Sequence, residues 1–156
     1  MAGKKFDFSK TLIHHLDHTA KIARILGVRY FDEHKEYDIT YNNFLIIEII
    51  YSNPNIHQRD LSKLILMGTS NLSRELERLE NKKLITRTLT EKDKKRVKLL
   101  NLTPLGKEVY KKIESAWESY ITNLESIYTS QELKTFTELL LKMKSKLTES
   151  TDIILD

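Results

Sequence analysis

Residues Pro54 to Gly106 constrain this chain more than any other stretch. Two short segments of helical period lead into a cation-rich segment that turns back on itself, and then into a further helix. The spacing predicts a helix over His57 to Leu66, with Leu61, Leu64 and Ile65 turned inward. Met67-Gly68 is the expected turn, and Thr69 or Ser70 is the expected cap of the next helix. In that helix, Ser70 to Asn81, the residues Leu72, Leu76 and Leu79 share one face. Ser70, Asn71, Ser73, Arg74, Glu77, Arg78 and Asn81 lie on or flank the other. Leu84 to Leu89 carry the β-branched Ile85, Thr86 and Thr88 and are the expected first strand, Val97 to Leu102 return as a second strand, and Glu91 to Arg96 are the expected connection.

Charge is concentrated in the same stretch. Lys82, Lys83, Arg87, Lys92, Lys94, Lys95, Arg96 and Lys98 are opposed only by Glu91 and Asp93. That segment carries +6 against a net charge of +4 for the whole chain, which leaves −2 elsewhere. Cations gathered at a hairpin tip repel one another, and turns ordinarily use glycine, asparagine and neutral polar residues. Such a cluster fits an anionic partner. A polar helix face beside a basic hairpin matches duplex DNA held in two grooves at once. Arg74 and Asn71 are three residues apart, with the chemistry to read guanine and adenine edges. Ser70 and Ser73 are short enough for close contact, and the N–H groups near Thr69 and Ser70 suit a phosphate. The wing suits the minor groove, with Asp93 steadying a neighbouring cation.

The flanking segments are predicted helices with more apolar surface than a small reading head requires. Residues 9–34 carry Leu12, Leu16, Ala20, Ala23, Leu26 and Tyr30 at steps of three or four, widened by Ile13, Ile22 and Ile25. Thr40 is the expected cap of YNNFLIIEIIYS, which Asn53-Pro54-Asn55 ends. Thr103-Pro104 opens a helix running to about Ile127, and Thr129 with Glu132 forms a capping-box pattern for a last one. We read residues 9–34 and 103–150 as dimerisation helices flanking a reading head over 38–102, all in one domain of 156 residues. The fold class expected is mainly α (α+β).

Several classes of function are disfavoured. There is no cysteine, hence no disulfide or thiolate metal site. No run approaches a membrane span, and MAGKKFDFSK lacks the apolar core of a signal peptide, so a cytoplasmic location is expected and no membrane partner. No phosphate-loop or nucleophile-elbow pattern suggests an enzyme, and no cofactor is expected. His14 and His18, with His15 and Asp17 between them, raise the alternative of a metal-responsive regulator, without a clear remote ligand set. Tyr30, Tyr37 and Tyr41 are expected to be packing residues.

The ordered motifs carry a resemblance. Asp60-Leu61-Ser62, then Leu79-Glu80-Asn81-Lys82-Lys83-Leu84-Ile85-Thr86-Arg87, then Asp93-Lys94-Lys95, then Leu102-Thr103-Pro104-Leu105-Gly106 together resemble the MarR family of winged helix–turn–helix regulators. The family pattern has glycine near the end of the second helix, where this chain has Lys82-Lys83, so Asn81 or Lys82 is expected to take the terminating turn, asparagine more readily. The wing arginine is expected two residues after Asp93, where Lys95 stands with Arg96 following, and the interval from Asp93 to Leu102-Thr103 is one residue longer than the family pattern, which suggests a β-bulge. Either Lys95 or Arg96 is the groove residue, and Arg96 is favoured. The resemblance implies a homodimer acting on a pseudo-palindromic operator in double-stranded DNA, repression as the expected mode, and a small-molecule effector that alters affinity. The expected contacts are Thr69, Ser70, Asn71, Ser73, Arg74 and Arg78 on the helix, and Arg87, Lys92, Asp93, Lys94, Lys95 and Arg96 on the wing. The competing reading is a winged-helix module that docks an acidic protein.

Overall fold

Capping signals set most of the helix boundaries. The computed structural model describes residues 7–31, 37–92 and 95–149, apart from the side chains of residues 30, 31, 91, 92 and 95–97. A single 3-10 turn, Phe8–Lys10, is capped by Asp7, and helix α1 then runs Leu12–Phe31. The helix therefore starts later than the expected Ser9. Thr11 is extended at φ −86° and ψ 149° and separates the two segments, and its hydroxyl accepts the His14 N–H at 3.2 Å. The expected end at His34 lies outside the described residues.

Helix α2 (Tyr41–Ser52) begins at Thr40 as expected, with a full capping box closed by Asn43. It supplies the centre of the core through Phe44, Ile46, Ile47 and Ile50. Ile56–His57 then form a short strand, β1, which the sequence reading assigned in part to a helix. Helix α3 is Gln58–Ile65. Leu61 and Ser62 are buried, whereas Leu64 is 60% exposed and is not the inward residue expected. It falls outside the narrow stripe formed by Leu61, Ser62 and Ile65. The turn to α4 rests on Leu66, which is left-handed at φ 53°, rather than on Gly68. Gly68 is the N-cap of α4 (Thr69–Asn81) and makes no side-chain cap, so Thr69 and Ser70 are the first helical residues and neither caps the helix.

Helix α4 buries Leu72, Leu76 and Leu79 completely. Its end departs from expectation in one respect: Lys83, not Asn81 or Lys82, is the left-handed residue, at φ 58°. Leu84 N–H donates to Leu79 O at 3.0 Å and Lys83 N–H to Glu80 O at 2.8 Å, a Schellman closure.

Strands β2 (Ile85–Lys92) and β3 (Lys95–Leu102) form the hairpin, and β1 pairs with the far edge of β3, giving the antiparallel order β1-β3-β2. Pairing runs unbroken from Ile85 opposite Leu102 to Lys92 opposite Lys95. There is no bulge in it. Glu91, Lys92, Lys95 and Arg96, expected in the connection, are strand residues, because the ladder extends three residues beyond the apolar part of β2. Asp93 and Lys94 lie outside the described residues.

Helix α5 (Pro104–Glu125) starts at Thr103, whose hydroxyl accepts the Gly106 N–H at 2.9 Å. Val109, Tyr110 and Ile113 join the core from this helix. Burial, and then the Glu114 carboxylate bonded to it at 2.6 Å, push the Tyr110 hydroxyl well above its ordinary pKa. Helix α1 crosses α5 where Gly27 meets Trp117: a Cβ on Gly27 would lie 2.6 Å from the indole ring. Tyr120 Oη donates to Ala23 O there at 2.6 Å. Tyr41 packs on Trp117 at 5.5 Å, as a packing residue should. Helix α6 (Ser130–Glu149) opens at the Thr129/Glu132 box, with Thr129 N–H on Glu132 Oε2 at 2.8 Å.

Candidate nucleic-acid interface

Helices α3 and α4 and the β2–β3 ribbon stand together, seated on α2 and the start of α5. With its leucines sealed in the core, α4 turns Thr69, Ser70, Asn71, Ser73, Arg74, Glu77, Arg78 and Asn81 outward, all of them exposed. These include every helix residue expected at the interface. Ser73 Oγ accepts from Gln58 Nε2 at 3.1 Å, which joins α4 to the first turn of α3. Beside that bond, His57 Nδ1 and Gln58 Oε1 are buried without a hydrogen-bond partner.

The expected contacts divide when their surroundings are included. Arg87 is half-buried and bonds Glu80 Oε2 through both Nε, at 2.7 Å, and a terminal nitrogen. That pair braces α4 against β2. Arg78 is exposed but donates to Glu75 Oε1 at 2.9 Å. Lys82 reaches back across the chain to the Asp38 carboxylate at 2.8 Å and also to the Asp38 carbonyl, and this lysine holds the Asp38 carboxyl below the usual range. Of the four cations between Lys82 and Lys98 whose side chains are described, Lys82 and Arg87 are thus paired locally. Lys83 and Lys98 stand exposed. At the wing tip, Lys92 and Lys95 form the last rung, and Arg96 occupies the rung before it, opposite Glu91. Successive rungs of a pleated strand belong to opposite faces, so Lys95 and Arg96 are not interchangeable positions.

Residues with no expected part in this surface hold it in place. Asn43 is 2% exposed, and its Nδ2 donates to Glu75 Oε2 at 2.7 Å, linking α2 to α4. The Asn55 backbone N–H donates to Asn101 Oδ1 at 2.9 Å and Asn101 Nδ2 donates to Asn55 Oδ1 at 2.8 Å, pinning the β1 turn to β3. Lys112 Nζ donates to Tyr37 Oη at 2.6 Å, which ties α5 to the segment before α2. All are long-range polar pairs with no local sequence signature.

On α1 the rings of His14 and His18 stack at 5.7 Å with 9° between their planes. Asp17 is engaged by Lys21 at 2.6 Å. Among the described residues no group of three or more His, Cys, Asp or Glu is gathered as a metal site. No helix among them is long and apolar enough to cross a membrane.

Comparison with known proteins agrees with this geometry. A sequence model of the MarR family matches residues 37–96. The HTH-type transcriptional regulator YybA of Bacillus subtilis is 31% identical over 126 residues, covering 81% of this chain and 83% of that protein. The crystal structure of the S. aureus MepR–DNA complex superposes with a TM-score of 0.78 at 22% identity, covering 90% of this chain and 99% of that one. The transcriptional regulator SlyA superposes with a TM-score of 0.77 at 26% identity, covering 90% and 96%.

Proposed function

Because this chain belongs to the MarR family of transcriptional regulators, we propose that it is a sequence-specific double-stranded DNA-binding repressor, acting as a homodimer in the cytoplasm. The family is one of regulators and not of enzymes. The observation that carries the DNA-reading role is the exposure of Ser70, Asn71 and Arg74 on the first turns of α4, beside a two-stranded ribbon ending in cations. The N-terminal residues of a recognition helix are those that reach base edges in the major groove. The same fold in the MepR–DNA complex supports that use of the surface.

Residues 38–102 form the reading head in this proposal, and 9–34 with 103–150 join two copies. Apolar side chains left exposed along α1 and α6 support the pairing: Ile22, Ile25, Phe136, Leu139 and Leu147 are between 44% and 63% exposed. A two-fold dimer presents its heads to half-sites about one helical turn apart, so the operator is a pseudo-palindrome. A small-molecule effector that alters DNA affinity is part of this reading, on the strength of the family alone.

Selection from random duplex DNA by the purified protein tests the proposal. An inverted repeat is the expected product, with affinity falling steeply in salt, log K losing about 0.9 per phosphate contact for each decade. Flat or absent duplex binding favours instead a winged-helix module whose basic wing docks an acidic protein.

A further inference from the structure

The carboxylate of Glu75 lies at the edge of the proposed reading surface with both oxygens engaged. Oε2 accepts from the buried amide of Asn43 at 2.7 Å, and Oε1 accepts from an Arg78 terminal nitrogen at 2.9 Å. Its side chain is 16% exposed, whereas that of Arg78 is 64% exposed. Asn43 is itself immobilised, because it closes the capping box of α2: its N–H is accepted by Thr40 Oγ1 at 3.2 Å, and its Oδ1 accepts the Thr40 N–H at 3.3 Å. The chain of contacts therefore runs from the first turn of α2, through a shielded carboxylate, to a guanidinium that projects into solvent. Arg78 is one turn along α4 from Arg74, on the same outward side.

A guanidinium has five N–H donors in a fixed fork, so an arginine held by a carboxylate on one edge keeps its other edge for a second acceptor. Such an arginine is aimed. It also carries less net charge toward a distant phosphate than a free one. Both effects favour selective contact over general attraction to the backbone. We infer that Glu75 is a positioning residue for DNA recognition: anchored by Asn43, it fixes Arg78 at one place on the reading surface and restrains its attraction for arbitrary duplex. This rests on the DNA-reading function proposed above.

The test uses the full-length protein and two duplexes, the selected operator and a scrambled sequence of equal length, titrated over a salt series. Glu75→Gln keeps an acceptor for Asn43 but loses the ion pair. It is expected to bind scrambled duplex more tightly, with a salt slope steeper by about one. Its discrimination between operator and scramble is expected to fall about tenfold, the size of a lost bidentate contact. In an Arg78→Gln background the same substitution is expected to leave slope and discrimination unchanged. A Glu75→Gln protein with wild-type slope and discrimination, or an effect that persists undiminished without Arg78, overturns the role of Glu75. A wild-type protein that binds neither duplex overturns the DNA-reading function itself. Should Glu75→Gln fail to fold, Arg78→Gln decides alone: a tenfold loss of discrimination at unchanged melting temperature supports the inference, and equal discrimination overturns it.

Discussion

Lys83 stands where the family pattern has glycine, and its backbone is left-handed at φ 58°. A side chain with a Cβ is strained there, and the Schellman bonds to Leu79 and Glu80 hold it in place. The chain accepts that strain at the joint between recognition helix and wing. Lys83→Gly is accordingly expected to stabilise the fold by about 1 kcal/mol, raising the melting temperature by about 2–4 °C. Calorimetry on the two proteins checks this, and an unchanged or lower value would show that the lysine side chain contributes more than its backbone costs. The departure from pattern was legible in the sequence, but the sequence reading put the strained turn at Asn81 or Lys82. Asparagine's tolerance of the left-handed region is a local preference, and the position was decided by where α4 unwinds against Leu84. Arg74 is the complementary case, because helical period alone put it outward and the structure has it exposed. Arg74→Ala is expected to cost about 1–3 kcal/mol on the cognate operator and to relax preference at one base position. Equal weakening on every sequence, seen in competition binding, would assign it to phosphate instead.

Segments that met through local signals were readable, and those that met at a distance were not. The Thr40, Thr103 and Thr129 caps are short-range chemistry and stand where the sequence put them. Strand β1 has two residues and no period of its own; it exists because β3 offers a free edge to Ile56 and His57. Glu80–Arg87 and Asn43–Glu75 join different elements and are visible only after folding. Gly106 shows how a motif residue acquires a physical reason. A Cβ there would lie 2.0 Å from the carbonyl oxygen of Leu84. That oxygen cannot retreat, since it accepts the Thr103 N–H at 3.0 Å and the Thr103 hydroxyl at 3.3 Å. Gly106→Ala is expected to destabilise the protein by about 3 kcal/mol and to raise amide exchange first where β2 meets α5. A urea midpoint equal to wild type would contradict that close approach. The wing poses a question of register. Arg96 and Lys95 occupy successive rungs of the ladder, positions that alternate between the two faces of a strand, so the proposed groove contact would fall to one of them. Arg96→Ala is expected to shallow the salt slope by about one and Lys95→Ala to leave it unchanged. The reverse result would assign the groove to the other face.

The core accounts for the reading head but not for the ends of the chain. Phe44, Ile46, Ile47, Leu61, Leu72, Leu76, Ile85 and Leu100 enclose one another, whereas α6 buries no residue and presents Phe136, Leu139 and Leu147 along one side. An apolar stripe of that length, on a helix whose polar side is rich in lysine and glutamate, is the surface that the second copy proposed above would cover. Two copies also supply what a single head lacks. In the dimer proposed above, each head would hold DNA through one helix and one ribbon, and joining the pair would raise the local concentration of the second head at its half-site. Leu139 is 59% exposed, so replacing it leaves the monomer core intact. Leu139→Asp is therefore expected to keep the circular dichroism of the wild type and to lower its mass by light scattering from twice 18.4 kDa toward 18.4 kDa. Affinity for the inverted repeat is expected to fall about 100-fold, while affinity for a single half-site changes little. A variant that remains dimeric would move the joining surface to α1 and α5. A variant that becomes monomeric yet binds the full repeat as tightly as wild type would show that the two heads act independently, and the operator would then need no two-fold symmetry.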